Sequence, residues 1–285
     1  MSAHILDICI PTFNREKYLR KCLCAASSIA SSGDIQIYVV DNNSSDYDSA
    51  HFQKICSDSN VNGSINYANF GAGINIMRSA SMGISDYLYI IGDDDLLLPR
   101  FADITRLIKH SQPDYIIFDD DLTEQNHSHT TSLVSYLSRK LRDPVLFNEL
   151  THIPRIIYKR SLWDFQSGLK QINTLYPHTW AFLTPLLCST LPKQSAFSVS
   201  VLPLKEYVLP SGISFGDSRP KLVDITGQQQ VELTFQNSLF NIWASCFSVL
   251  CYDKVDVLTL KRKYCKSVSR HFPGTYDYLI SIINP

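Results

Sequence analysis

Tyr87-Leu-Tyr-Ile-Ile-Gly-Asp-Asp-Asp-Leu-Leu-Leu-Pro99 joins an apolar run to three consecutive carboxylates. Residues Tyr87 to Ile91 have the length and composition of a buried strand. Asp93, Asp94 and Asp95 follow after a single glycine, and then three leucines and a proline. Three adjacent like charges repel one another, a cost that a neutral structural role gives no reason to bear. A shared divalent cation would relieve the repulsion, and oxygen ligands are what Mg²⁺ or Mn²⁺ prefer. At the carboxyl end of a central strand, the cluster would lie where open α/β sheets bind ligands. The plainer reading is a solvated acidic turn that caps the next helix.

Upstream, the same strand-loop-helix pattern recurs. Ile5 to Ile10 is apolar except for Asp7 and ends at Pro11, followed by the loop Thr12-Phe-Asn-Arg15. Tyr18, Leu19, Cys22, Leu23, Ala26 and Ile29 then recur at helical spacing. Ile35 to Val40 is a second strand, ending in the turn-rich Asp41-Asn-Asn-Ser-Ser-Asp46. A short helix is expected around Phe52 and Ile55, a loop over Asn60 to Gly63, and a short strand at Ile65-Asn-Tyr67. Asn69-Phe-Gly-Ala-Gly73 leads into a helix that carries Asn75 and Arg78. The pattern predicts an α/β fold: a mostly parallel central sheet flanked by helices, with a ligand crevice along one edge. Polar groups from three strand ends, at Asn14 and Arg15, at Asp41, and at Asp93 to Asp95, would converge there.

The second half is less regular. Phe101, Ile104, Leu107 and Ile108 mark a helix, and Tyr115 to Phe118 a strand that ends in Asp119, Asp120 and Asp121. Residues 122–150 show no clear period and read as a variable excursion near an acceptor. Strands are expected at Ile153 to Tyr158, Phe197 to Leu202 and Glu206 to Leu209, and a helix around Phe182 to Leu187. Ser211 to Gly216 reads as a flexible loop, and the pattern is helical from roughly 227 onward. These divisions suggest an α/β domain over 1–216 and a helical extension over 217–285.

Composition narrows the class. The 285 residues are 45% hydrophobic and 19% charged, enough apolar content for a full core. A net charge of -1 argues against a nucleic-acid binder that works by bulk charge. The eight cysteines make no CxxC pair and no zinc-like spacing, so they read as reduced core residues of a cytoplasmic protein. No signal peptide and no bilayer-length apolar stretch is apparent. GxGxxG and GxxxxGK[ST] are both absent after the first strand, which disfavours a Rossmann dehydrogenase and a P-loop enzyme.

The motifs Ile10-Pro-Thr-Phe-Asn-Arg15, Val39-Val-Asp-Asn-Asn-Ser-Ser-Asp46, Asn69-Phe-Gly-Ala-Gly-Ile-Asn75 and Gly92-Asp-Asp-Asp-Leu-Leu-Leu-Pro99 are specific in this order and spacing. Together they resemble the family 2 glycosyltransferases of GT-A fold that build bacterial surface polysaccharides. The resemblance covers residues 4–120 well and 150–215 loosely. It implies that Pro11, Thr12 and Arg15 line the nucleotide, that Asp41 faces the base, and that Asn69 and Arg78 lie near the base or diphosphate. It puts Asp93 near the sugar and ribose and the metal, Mn²⁺ or Mg²⁺, on Asp94, with Asp95 as a competing ligand. The family often has an acidic residue where Gly92 stands.

An inverting transfer needs a base to take the acceptor proton as the diphosphate leaves. The family's acidic pair before a late helix is missing here, and the corresponding place reads Tyr176-Pro-His178-Thr-Trp180. His178, which titrates near neutral pH, is the first candidate for the base. Asp217 is the second, and Asp119 to Asp121 the third. The expected partners are a nucleotide-sugar donor and a glycan or lipid-linked glycan acceptor. Basic residues from Lys254 to His271 fit either a helix lying on the inner membrane face or a solvated helix face. The missing acidic pair also keeps a non-catalytic nucleotide- or sugar-binding module in view. A sugar nucleotidyltransferase would carry glycines near the first strand, where Pro11-Thr-Phe-Asn-Arg15 has none.

Overall fold

The structure is a computed structural model, and it describes residues 4–30, 33–122, 128–172, 176–188, 197–210, 239–247, 250 and 257–271. The first half alternates β1 (Leu6–Thr12), α1 (Glu16–Ala30), β2 (Ile35–Asp41), α2 (Ser49–Asp58), β3 (Asn62–Ile65), α3 (Ala72–Ser81) and β4 (Tyr87–Ile90). A short strand β5 (Leu96–Leu97), helix α4 (Asp103–Ser111) and strand β6 (Tyr115–Asp119) follow. The second half contains β7 (His129–Ser132), α5 (Leu133–Lys140), α6 (Pro144–Asn148), β8 (Ile156–Lys159), α7 (Phe165–Lys170) and α8 (Pro177–Cys188). It closes with β9 (Ser198–Pro203), α9 (Leu204–Tyr207), β10 (Val208–Leu209) and α10 (Val257–His271).

Eight strands form one sheet in the order β3-β2-β1-β4-β8-β6-β9-β7, and β5 pairs with β10. β1 runs parallel to β2 and β4, β2 to β3, and β6 to β9, while β8 is antiparallel to both neighbours and β7 to β9. The chain winds outward through β2 and β3 and then returns to the other side of β1 for β4. That reversal opens a crevice beyond the carboxyl ends of β1 and β4.

The hydrophobic pattern explains the layers. β1, β4 and β6 are buried on both faces, as sheets covered by helices on each side require. Leu19, Cys22, Leu23, Ala26 and Ile29 of α1 seal one face with Ile8, Ile10 and Val39. Cys9, Leu88, Ile90 and Ile117 face a second cluster that takes in Tyr136, Phe147, Trp243 and Tyr264. Helical residues 239–247 and α10 therefore pack into the same core as the sheet. Cys9, Cys22, Cys24, Cys56, Cys246 and Cys265 are free, and all but Cys24 are buried.

Four local expectations shift. The third strand sits over Asn62–Ile65, where a loop was expected over Asn60 to Gly63. The run Ile153 to Tyr158 begins as a 3-10 turn, because Pro154 has no amide for the ladder, and becomes strand only at Ile156. Residues 129–148 hold a strand and two helices in place of an aperiodic excursion. Leu204 to Tyr207 is helical, which leaves only Val208 and Leu209 of the expected late strand.

Candidate active site

Two loops at the crevice are tied to each other. Asn14, in the left-handed region at φ 54, accepts from the Ser45 amide at 2.7 Å, and its own amide donates to Ser44 Oγ at 2.8 Å. Asparagine tolerates that conformation better than most residues. Asp41 caps the second loop from inside: the Ser44 amide (3.0 Å), the Ser44 hydroxyl and the Tyr47 hydroxyl (3.0 Å) all donate to it. It is buried, and its oxygens hold the chain from Asp41 to Tyr47 in a closed loop.

Behind the loops lies a ladder of asparagine amides. Asn75 Nδ2 donates to the carbonyls of Val40 and Thr12, at 3.1 and 3.3 Å. Asn66 Nδ2 donates to Asn75 Oδ1 and Asn42 Oδ1. Asn42 Nδ2 donates to Asn69 Oδ1 at 2.7 Å, which also accepts from the Gly71 amide. The network fixes the ends of β1 and β2 against the start of α3. Gly71 stands before α3 at φ +83, a conformation that favours glycine. Asn69 thus supports the loop, and Arg78 reaches Ser64 at the end of β3 (3.5 Å).

The acidic triplet divides its tasks. Asp95 Oδ2 accepts from the Gly92 amide at 2.7 Å and locks the turn. A Cβ at Gly92 would lie 2.7 Å from Asp94 Oδ1 and 3.0 Å from Asp95 Oδ2, so glycine leaves room for the carboxylates to fold back. Asp93 accepts from Thr12 Oγ1 at 2.6 Å and from Arg15 Nη1 at 2.9 Å. The other Arg15 nitrogen pairs with Asp94. Burial pushes Asp93 up to about 6, against the pull of Arg15 and the Thr12 hydroxyl. Partial burial works against the Arg15 charge, and Asp93 and Asp94 more than offset it, so the guanidinium stays charged. Asp94 is the most accessible of the three, with 12% of its side chain exposed. Thr12, Arg15, Asp93 and Asp94 are therefore brought together at the switch point, with Pro11 just inside β1.

A second polar cluster closes the same edge beyond β6. Asp119 accepts from Lys140 Nζ (2.8 Å) and Tyr136 OH (2.7 Å), and Lys140 also binds Asp121 at 2.7 Å. Arg155 pairs with Asp120 at 2.5 Å. Tyr89, on β4 just before the triplet, donates to the Pro154 carbonyl and ties this cluster to the first.

His178, expected to act as a base, is turned into the core. It is 3% exposed, and its Nε2 donates to the Thr151 carbonyl at 2.7 Å. Burial lowers it to about 4, with the Thr151 carbonyl pulling the other way, so the ring is neutral at pH 7. Its geometry is that of a prop under the 3-10 turn Glu149–Thr151. Asp217 lies outside the described residues, as do Ser211 to Gly216 and Lys254. Sequence reasoning missed Asn42, Asn66, Lys140 and Arg155, whose roles depend on partners distant in the chain. No helix among the described residues is long and apolar enough to cross a membrane.

Comparison with known proteins fits this geometry. Residues 7–154 match the model of the family described as Glycosyl transferase family 2. The abequosyltransferase RfbV of Salmonella typhimurium is 28% identical over 206 residues, 63% of this chain and 60% of that protein. The match thus spans less than two thirds of the relative's length. TarS 1–349 of S. aureus, solved in complex with UDP-GlcNAc, superposes with a TM-score of 0.59 at 14% identity, covering 99% of this chain and 76% of that one. Glucosyl-3-phosphoglycerate synthase from Mycobacterium tuberculosis, solved with Mn²⁺, UDP and glucosyl-3-phosphoglycerate, gives 0.51 at 13% identity, covering 85% and 80%. The fold is the α/β architecture of these sugar transferases.

Proposed function

Because this chain belongs to glycosyl transferase family 2 and is a glycosyltransferase, we propose that it moves a sugar, with inversion, from a nucleotide-sugar donor to a hydroxyl of a growing bacterial surface glycan. The observation that carries this is the meeting of Thr12, Arg15, Asp93 and Asp94 at the carboxyl edge of β1 and β4. The abequosyltransferase relative supports a polysaccharide acceptor.

The donor set suits a divalent cation that is completed by substrate. No group of three or more acidic, cysteine or histidine side chains that could hold a metal is assembled among the described residues. Mg²⁺-type sites commonly use one or two carboxylates with the rest from phosphates and water. Asp94 would supply that carboxylate, since Asp95 is committed to the Gly92 amide and Asp93 to Thr12 and Arg15. When bound, Mn²⁺ or Mg²⁺ would neutralise charge on the departing diphosphate. Arg15 adds a fixed positive charge beside the same oxygens, and Thr12 holds Asp93 in place for the sugar or ribose. The Asp41 and Asn69 loops border the base end of the crevice.

The test is a thermal-shift series with UDP-, GDP- and CDP-linked sugars, each with and without Mn²⁺. A ligand at ~100 times its Kd that binds only the native state adds roughly 2.7 kcal/mol. A shift that needs Mn²⁺ and disappears in Asp94→Ala is the expected result. Shifts of equal size in the variant, or a wild type that none of these donors moves, would sink the proposal.

A further inference from the structure

We infer that Glu149 is the general base that takes the proton of the acceptor hydroxyl. The assignment rests on the sugar-transfer reading above and replaces the missing acidic pair near His178. Glu149 opens a 3-10 turn that runs into β8, the strand between β4 and β6. The turn is held from three sides. His178 donates to the Thr151 carbonyl, Thr151 Oγ1 donates to the Asn148 carbonyl at 2.6 Å, and Tyr89 fixes Pro154 just beyond. The carboxylate is therefore carried on a fixed backbone at the edge of the sheet where Asp93 and Asp94 emerge.

Its neighbours single it out. Asp119 is bound to Lys140 and Tyr136, Asp120 to Arg155, and Asp121 to Lys140. Each of these carboxylates already has a cation within ion-pair distance, and Asp119 is held below the ordinary carboxylate range by Lys140 and Tyr136 against its burial. Among the described residues the Glu149 side chain has neither a hydrogen bond nor an ion pair, yet it is half-buried in the same cluster. Burial raises its pKa, Arg155 and Lys140 pull the other way, and Asp120 and Asp121 add to the rise. One carboxylate without a cation beside three that each have one is the kind of divided environment that acid–base sites use. In the step, the acceptor O–H bond breaks and its proton passes to the Glu149 carboxylate. The acceptor oxygen bonds to the anomeric carbon as the bond from that carbon to the diphosphate oxygen breaks. The electron pair of that bond leaves with the diphosphate.

The experiment uses the full chain with Mn²⁺ and whichever nucleotide sugar the thermal-shift series selects. Nucleoside diphosphate release to water is followed across pH 5–9. Glu149→Gln is expected to lower kcat by about 10²–10⁴-fold, to leave the donor-induced thermal shift intact, and to abolish the acid limb of the pH profile. Glu149→Asp is expected to recover part of the rate and the acid limb. Glu149→Gln with kcat within threefold of wild type, or with an unchanged acid limb, would overturn the assignment. So would loss of the donor shift in both variants, because the residue would then be holding the fold. A wild type that binds no donor would fail earlier, at the transferase reading, and the assignment would fall with it.

Discussion

Asn75 offers the sharpest test of how the crevice is held open. It is 3% exposed and makes three amide hydrogen bonds: two donated to the Val40 and Thr12 carbonyls and one accepted from Asn66. In Asn75→Ala the Thr12 carbonyl keeps the Asn42 amide at 2.9 Å, whereas one Asn66 N–H loses its partner, the other still serving Asn42. A net hydrogen bond contributes about 0.5–1.5 kcal/mol, and a stranded buried donor costs about 1–3 kcal/mol. The expected destabilisation is thus about 2–4 kcal/mol. At about 2–4 °C per kcal/mol for chains approaching this size, Tm should fall by roughly 4–16 °C. Asn75→Asp is the control on direction. It keeps the shape but turns a carboxylate oxygen towards two carbonyl oxygens. An unpaired buried charge costs about 3–5 kcal/mol, so at pH 7.5 this variant should be less stable than alanine. A buried carboxyl without a partner has a pKa above its unfolded value. Its penalty therefore grows as pH rises and shrinks on acidification, when the protonated group can donate again. Thermal melts of the three proteins at pH 5 and 7.5 decide the matter. An aspartate variant as stable as the alanine variant at pH 7.5 would refute the donor geometry.

Two further outcomes follow from other sites. Gly92→Ala should leave the stability within about 1 kcal/mol of wild type, yet weaken Mn²⁺ titration of the donor shift at least threefold, roughly 0.6 kcal/mol. The reason is that the new Cβ must displace the Asp94 carboxylate, and an unaltered titration would show that Asp94 need not sit there. Asp119 is held below the ordinary carboxylate range: burial opposes its charge, and the Lys140 and Tyr136 hydrogen bonds outweigh that. Its folded pKa is depressed, so it stabilises the protein above its unfolded pKa near 3.8 and loses that contribution as pH falls through the lower folded value. Asp119→Asn should therefore be destabilised at pH 7, with the gap to wild type narrower in a second series at about pH 3. Urea denaturation at both pH values measures this, and a gap of equal size at both would contradict it.

Much of this was legible in the sequence, and the reasons differ from place to place. β1, β4 and β6 announce themselves because strands buried on both faces are nearly continuous apolar runs, and β2 by its β-branched residues and the polar turn that ends it. The acidic turn was visible because three like charges in a row need a cause. β7 and α5 were not legible: Ser132 caps α5 and Leu133, Tyr136 and Leu137 bury, but a polar lead-in conceals the period. Sequence also placed His178 near the chemistry, because an imidazole beside a missing acidic pair invites a catalytic role. Its burial against Thr151 depends on a turn 27 residues upstream, a tertiary fact no local pattern encodes. Asn66 was silent for the same reason, since a lone asparagine reads as loop until its partners are known.

The Arg15 clamp on Asp93 and Asp94 gives ligand entry at this site the character of an exchange reaction. The acidic pair already carries its own counter-ion, tethered by the chain, at an effective concentration that dissolved salt does not match. On the proposed reading, a divalent ion arriving there would compete with that internal cation, and its apparent affinity would be lower than that of a bare pair by whatever the clamp contributes. Diphosphate offers the displaced guanidinium a new anion, so nucleotide and metal should strengthen each other's binding by drawing on the same swap. Such a site discriminates against metal alone without any contact dedicated to rejecting it.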